Sequence, residues 1–401
     1  MTHAEPPLHG VTVVDISSSY AAPTTSMYLA DMGASVIKIE PVHGDDARSW
    51  GPPFLNGEAA WFLSVNRGKR SLCLDIRGQA GRDVLFRLLE TADVFIENLN
   101  PAKLAKHGLA LQPLSERFPR LVVCALSGFG MTGPDSGLPG YDLIAQARSG
   151  MMSVTGEGGV PTRVSTALSD VAAGTVAAFA IAAALVRQQR TGRGEIIDVS
   201  LLEADLAFMA PRIASFLAGE PEPVPCGGMD SVVAIYQRFE TKDRPVVVAL
   251  GNDRLWQRGC AALGLQDLVD DPGLATNAGR RARRAEVAEA VQEVLTRHTA
   301  EAALEKLTAA GVPCSVILSL SEVVDDPQVL ARESIAVQHH PVAGDVRLVS
   351  SPWMLASMPS ARSQTSPSPL RGEHGREILS AAGLEDAAVQ QLVEDGVVWL
   401  P

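Results

Sequence analysis

The sequence predicts an α/β protein: a doubly wound core around a parallel sheet, followed by a smaller α/β domain. Three observations carry that prediction. Of six short β-branched runs within the first 215 residues, several are apolar almost throughout, as strands buried on both faces of a parallel sheet are. Segments with a helical apolar period separate most of those runs. Two Pro-rich stretches then bracket a shorter mixed pattern.

In chain order the predicted strands are VTVVDI (11–16), SVIKIE (35–40), SLCLDI (71–76), DVFIEN (93–98), LVVCAL (121–126) and EIIDVS (195–200). Helical periodicity covers 80–91 and 171–189. The longest apolar run, 171–186, contains Gly174 and Thr175 and is shorter than the roughly 20 residues a bilayer span needs, so it reads as a buried helix with no membrane partner. The stretch AGEPEPVPCGGMD (218–230) rules out regular structure and predicts a crossing between domains. Beyond it come a strand at 245–250, a helix from about 252, helices near 283–297 and 299–310, and a short strand at 314–318. A second Pro/Ser-rich segment, MPSARSQTSPSPLRG (358–372), precedes two terminal helical patterns, 373–382 and 385–394, which periodicity assigns to neither domain.

Composition narrows the function classes. A chain of 401 residues supports two or three domains. Its net charge of −12 argues against a surface built to neutralise nucleic-acid phosphates. The densest basic cluster, Arg280, Arg281, Arg283 and Arg284, reads as a solvated helix face. Five cysteines, odd in number and without a CxxC pair, suggest neither disulfides nor zinc and fit a reducing cytoplasm. The start, MTHAEPPLHGVTVVD, has no charged and apolar leader pattern, so no signal peptide is expected.

Among motifs, no GxGxxG follows the first predicted strand, where SSSYAAP stands instead, and neither a Walker loop nor GxSxG is present. His339 and His340 lack further ligands at metal spacing and read as an exposed pair, so no metal is expected. The segment SGFGMTGPDSGLPGYDLIAQARSGMMSVTG (127–156) holds seven glycines and two prolines just after a predicted strand. Loops at the carboxyl ends of strands are where open α/β sheets bind ligands; the plainer reading is a long surface loop. In STALSDVAAGTVAAF (165–179), Asp170 stands immediately before the Ala-rich run, as a helix cap or as a reactive carboxylate.

The series VVDISSSYAAP, GASVIKIEP, NRGKRSLCLDIR, FIENLNP, the Gly-rich segment 127–156, SDVAAG, TGRGEIIDVSLLEA and GEHG, in order from about residue 8 to about 385, resembles the class III coenzyme A transferases, the family of formyl-CoA and carnitine-CoA transferases. The resemblance implies an interlocked homodimer, each chain with a Rossmann-like large domain and a small domain. On that reading 1–217 is the N-terminal part of the large domain, 218–232 a linker, 233–330 the small domain, 331–371 the return linker, and 372–401 a segment returning to the large domain.

The same resemblance makes Asp170 the nucleophile, which attacks an acyl-CoA thioester and carries CoA as an aspartyl thioester to an acceptor carboxylic acid. CoA would be a substrate and no cofactor would be permanently bound. A helix N-terminus would favour the ionised carboxylate this step needs. By resemblance the CoA site comprises Tyr20 and Ala21; Leu74, Asp75, Ile76 and Arg77; Asn98, Leu99 and Asn100; Lys106; and Pro139, Gly140, Tyr141 and Asp142. Gly227 and Gly228 are the nearest match to a covering loop of the small domain. One departure is Pro41 after SVIKIE, where formyl-CoA members carry Arg; the cation for the 3′-phosphate would then be Lys106, Lys103 or Arg48. Arg148, Arg163 and Arg238 are candidates to pair with the second carboxylate of a dicarboxylic acceptor. The related 2-methylacyl-CoA racemases carry GHD where this chain has Gly140-Tyr141-Asp142. Tyrosine, with an ordinary pKa of about 10, is a poor base for that proton. A CoA-binding dimer without turnover is the non-enzymatic alternative.

Overall fold

The computed structural model describes residues 5–229, 232–357 and 365–401. Parts of both predicted linkers, 230–231 and 358–364, lie outside the described residues. All six apolar runs form strands: β1 (Thr12–Asp15), β2 (Ser35–Glu40), β3 (Lys69–Leu74), β4 (Val94–Glu97), β5 (Val122–Ser127) and β6 (Ile196–Ser200). They pair in parallel in the order β3-β2-β1-β4-β5-β6, so the direction of winding reverses between β1 and β4. This is the strand order of dinucleotide-binding sheets, although no glycine fingerprint follows β1.

Both faces of the sheet are dry, which explains the near-continuous apolar runs. Val13, Val36, Val94, Val122 and Cys124 pack on one side, while Val14, Ile37, Leu72, Phe95 and Val123 pack on the other. The first side is covered by α1 (Ala21–Asp31) and by one face of the later, 24-residue helix Leu168–Thr191; the run expected to be a buried helix is buried only on that face, with Val176, Phe179 and Val186 exposed. The second is covered by α2 (Gln79–Leu89) and by residues of the two C-terminal helices, Ile378, Leu379 and Val389. Between them in sequence lie α3 (Pro101–Lys106) and α4 (Asp142–Arg148), so the long helix is α5, and α6 (Leu201–Leu217) follows β6.

Gly174 sets the separation of α1 and α5. A Cβ placed there would lie 2.6 Å from the Ala21 carbonyl oxygen, and the Gly174 carbonyl accepts a 3.1 Å hydrogen bond from Thr25 Oγ1. Backbone contact of this kind needs a residue without a side chain, and it places the start of α5 against the start of α1.

Contacts divide the chain into two units: Met1–Ser149, Ser165–Ile213 and Pro327–Pro401 form the larger, and Gly150–Val164 with Ala214–Asp326 the smaller. Residues 150–164 therefore group with the smaller unit and 331–357 with the larger, where a continuous first domain to 217 and a linker from 331 were expected. The smaller unit holds an antiparallel sheet of β7 (Tyr236–Phe239), β8 (Val246–Ala249) and β9 (Cys314–Val316). Helices α7 (Asp253–Leu263), α8 (Arg284–Thr296) and α9 (Ala300–Ala309) close a core around Trp256, Val287, Val291 and Leu307.

The arginine cluster is a solvated face only in part, since Arg281 and Arg283 remain partly exposed. Arg280 is buried, donating to the carbonyls of Leu274 and Ala275 and to Asp253 while stacking on Trp256. Arg281 pairs with Glu220, and Arg283 with Asp271 and Glu286. Those two form partly exposed ion pairs, whereas the buried Arg280 guanidinium needs its acceptors.

The chain's last segment completes the larger unit. A hairpin of β10 (Ile335–His340) and β11 (Gly344–Val349) precedes α10 (Gly375–Ala381) and α11 (Asp386–Glu394), and β12 (Val398–Trp399) adds antiparallel to β3 at the sheet edge. His339 and His340 point to opposite sides of the hairpin, as strand neighbours must. His339 is exposed and pairs with Asp345, but His340 is buried, its Nδ1 accepting from the backbone of Val342 and Ala343, so the expected exposed pair is half wrong.

Candidate active site

The carboxyl ends of β1 and β4 meet at the winding reversal and are locked together there. Asn98 donates from Nδ2 to the Ser18 carbonyl at 2.8 Å and accepts from the Ser18 N–H at 3.2 Å. Leu99 N–H donates to Glu97 Oε2 at 2.7 Å, and burial pushes the Glu97 carboxyl up to about 8. Asn100 caps α3 by accepting from Lys103 N–H, and its partner in sequence, Lys106, is exposed in the last turn of that helix. At the end of β3, Leu74 is buried, and Arg77 folds back in a bidentate pair with Asp75 across Ile76. Tyr20 and Ala21 start α1 directly after β1. The fold thus brings Tyr20–Ala21, Leu74–Arg77 and Asn98–Asn100 to the carboxyl edge of one sheet.

A buried ionic network stiffens that edge. Lys38 pairs with Asp45 at 2.7 Å, Lys69 lies 3.7 Å from Asp15, and Ser17 and Ser26 donate to the Asp15 carboxylate. Burial drives Lys69 down to about 7. Arg48 grips Glu40 with two 2.7 Å hydrogen bonds, donates to the Pro369 carbonyl and stacks on Phe62. Releasing it would take from the buried Glu40 carboxylate its bidentate partner, a costly change, so Arg48 is committed to Glu40 rather than available to a 3′-phosphate. Lys103 and Lys106 are exposed.

Two glycines fold the Gly-rich loop back on its origin. A Cβ on Gly128 would sit 2.5 Å from the Gly140 Cα, and one on Gly140 would sit 2.3 Å from the Gly128 Cα. This crossing returns the chain from the end of β5 to Asp142, the first residue of α4, leaving Pro139 and Tyr141 exposed and Asp142 buried.

Asp142 caps the nearby α5. Its Oδ1 accepts the Ser169 N–H at 2.8 Å and its Oδ2 accepts from Gln146 Nε2 at 2.8 Å. Asp170, in the first turn of α5, makes no side-chain cap, contrary to the cap reading; the side chain that accepts a first-turn N–H belongs to Asp142, on another element. Nor is Asp170 held at an ordinary aspartate pKa by the helix N-terminus. Burial, then the carboxylates of Asp142 and Asp205, push it up to about 7. Desolvation and like charge outweigh the helix dipole here.

Asp170 also acts electrostatically on Tyr20, whose hydroxyl lies 3.1 Å from Ser64 Oγ and whose ring meets Trp61 edge-on. Burial raises the Tyr20 pKa. Sequence reasoning missed Asp205, Ser169 and Trp61. Only Asp205 left a trace, as an acid inside the apolar pattern LLEADLAFMA.

Of the arginines considered for a second carboxylate, Arg148 pairs with Asp135 and Arg238 with Glu240, while Arg163 donates to the Val164 carbonyl. In the smaller unit, Gly227 and Gly228 both take positive φ, and the Gly227 N–H donates to the Gly156 carbonyl at 2.7 Å. Among the described residues no cluster of His, Cys, Asp and Glu could hold a metal.

Known proteins resemble this chain over nearly its whole length. Residues 8–375 match the family described as CoA-transferase family III. The chain is 37% identical over 395 residues to the succinyl-CoA:glutarate CoA-transferase of Mus musculus, covering 98% of this chain and 90% of that protein. It is 36% identical over 389 residues to the succinate–glutarate CoA-transferase of Agrobacterium fabrum, covering 95% and 96%. An acetyl-CoA:oxalate CoA-transferase of Acetobacter aceti is 36% identical over 83% of this chain and 87% of its own length. A crystal structure of a CAIB/BAIF family protein from Brucella suis superposes with a TM-score of 0.80 at 34% identity, covering 94% of this chain and all of that one. With a nearly full-length family match, related transferases of like length and the same fold, the chain belongs to CoA-transferase family III and is an acyl-CoA:carboxylate CoA-transferase.

Proposed function

We propose that the chain moves CoA between dicarboxylic acids through a covalent intermediate on Asp170. The observation that carries this is the placement of Asp170: half-buried at the first turn of α5, next to Tyr20 and Asp142, with its capping duty taken over by Asp142. A carboxylate excused from structural hydrogen bonding and raised in basicity is suited to attack.

In the first step an Asp170 oxygen adds to the donor's thioester carbonyl, the C–S bond breaks, and CoA leaves as thiolate, giving a mixed anhydride. The thiolate then attacks the aspartyl carbonyl carbon; the donor acid leaves as carboxylate, and Asp170 holds CoA as a thioester. The acceptor carboxylate attacks that thioester, and the released thiolate takes the acyl group, freeing Asp170. Energy of the thioester is retained throughout, provided water is excluded. Backbone N–H groups of the Gly-rich loop are the donors available for the oxyanions. Tyr20–Ala21, Leu74–Arg77, Asn98–Asn100, Lys106 and Pro139–Asp142 form the CoA site on this reading, with Lys103 or Lys106 reaching the 3′-phosphate.

The dicarboxylate preference rests on the relatives' glutarate and oxalate activities. Exposed pairs such as Arg148–Asp135 are weak enough to exchange for a ligand carboxylate. Incubation with succinyl-CoA and glutarate, followed by mass spectrometry, should yield glutaryl-CoA and succinate. Deuterium entry at Cα without exchange would instead indicate racemisation, and neither product would indicate binding alone.

The working form is, we propose, an interlocked homodimer in the cytoplasm. Large apolar side chains on α5 and α6, including Phe179 at 75% exposure and Phe208 at 57%, stand in solvent on a single chain and suit burial by a second copy. Light scattering should give a mass near twice 42.3 kDa at all accessible dilutions; a monomer peak would overturn the dimer. Free thiols at Cys73, Cys124 and Cys260 fit a reducing compartment.

A further inference from the structure

We infer that Asp205, held in place by Ser169, is a positioning residue whose buried charge helps to set the charge state of the nucleophile. This rests on Asp170 being the nucleophile. Asp205 lies on α6 with no exposed surface. Its Oδ2 accepts from Ser169 Oγ at 2.7 Å and from Ser149 Oγ at 3.5 Å, whereas its Oδ1 is buried without a hydrogen-bond partner. Ser169 immediately precedes Asp170, and its hydroxyl also faces the Asp142 carbonyl at 3.3 Å.

A fully buried carboxylate with one orphaned oxygen is an expensive feature for purely structural use, since Asn would satisfy Ser169 without the charge. Three elements face Asp170 with titratable groups: α6 with Asp205, α4 with Asp142, and the start of α1 with Tyr20. Among the described residues none of the three carboxylates sits in an ion pair. Like charge is thus uncompensated, and part of the basicity of Asp170 comes from Asp205. Burial and Asp142 raise the pKa of Asp205 itself, while the two serine hydroxyls lower it, so the hydrogen bonds of Ser169 and Ser149 help to keep Asp205 ionised.

The test is the pH profile of kcat/KM for the acyl-CoA donor in the full-length enzyme, which reports the free enzyme's ionisations. The wild type should lose activity as pH falls through about 7, because the attacking carboxylate becomes protonated. Asp205→Asn keeps an acceptor for Ser169 and removes the charge. It should move the acid limb to lower pH, raising the ratio of activity at pH 6 to that at pH 8 by about fivefold. Ser169→Ala, which weakens the support for an ionised Asp205, should move the limb in the same direction by less, and Asp205→Glu should restore it. An unmoved limb in Asp205→Asn, with only kcat or stability reduced, would overturn the inference. If that variant does not fold, an unmoved limb in Ser169→Ala decides against it. Hydroxylamine trapping in the wild type separates the two readings: no adduct at Asp170 removes the nucleophile itself, whereas an adduct there with an unmoved limb removes only the role of Asp205.

Discussion

Asp170→Ala should abolish CoA transfer, by at least about 10⁴-fold in kcat, while CoA still binds. On the proposed mechanism the carboxylate accepts the acyl group and then CoA, so no bound geometry would substitute for it. Among the described residues no hydrogen bond or ion pair makes Asp170 a support for the fold: Asp142 caps α5, and Ser169, not Asp170, links α5 to α6. Stability should move the opposite way from activity. In the native protein the group takes up its proton near 7, above the ordinary aspartate value, so the folded chain binds more protons than the unfolded one between those limits. Stability therefore falls as pH rises through that window, and the full penalty is present above about 7. Asp170→Ala should gain on the order of 1 kcal/mol at pH 8 and gain less at pH 5. Calorimetry at the two pH values, beside the exchange assay and isothermal titration with CoA, checks all three expectations. Substantial residual transfer would remove Asp170 as nucleophile.

The second large effect lies where there is no reactive group. Gly128→Ala should lower kcat/KM by about 10²-fold or more, and Gly140→Ala likewise, because misplacement of reacting groups by about 1 Å has that cost. Each new Cβ would meet the other glycine's backbone at 2.5 or 2.3 Å, and backbone cannot rotate aside as a flexible side chain can. The crossing must open, and Asp142, two residues beyond Gly140, is displaced from the Ser169 N–H that it caps. The first turn of α5 then loses both its cap and the exact seat of Asp170. Gly137 lies in the same loop, and a Cβ there meets nothing within 4 Å, so Gly137→Ala should keep close to wild-type activity. Equal losses in all three variants would mean that the loop needs glycine for flexibility rather than for close approach.

Much of the fold was legible because burial on two faces writes itself directly into composition. Strands such as VTVVDI and LVVCAL carry no polar alternation, and the run after Asp170 is Ala-rich because α5 packs closely on α1 and the sheet. Ordered resemblance along the chain pointed to Asp170 and to the loops after β1, β3 and β4, and the three loops lie at the carboxyl edge of one sheet.

What only tertiary structure decided were charge states and partners, because these depend on residues distant in sequence. Periodicity did not say that β12 and the two terminal helices join the large sheet; a two-residue antiparallel pairing with β3 did. The same limit hid the fates of Arg48 and Arg280, each taken up by acceptors its own segment does not reveal. Asp170 shows the division most plainly. Its position at a helix start is a local fact, and local physics alone favours an ionised carboxylate. Asp142, 28 residues earlier, and Asp205, 35 later, supply the cap and the repulsion that reverse that preference. Local pattern determined where the group stands, and long-range burial determined how basic it is, because desolvation and charge act through space and not along the chain.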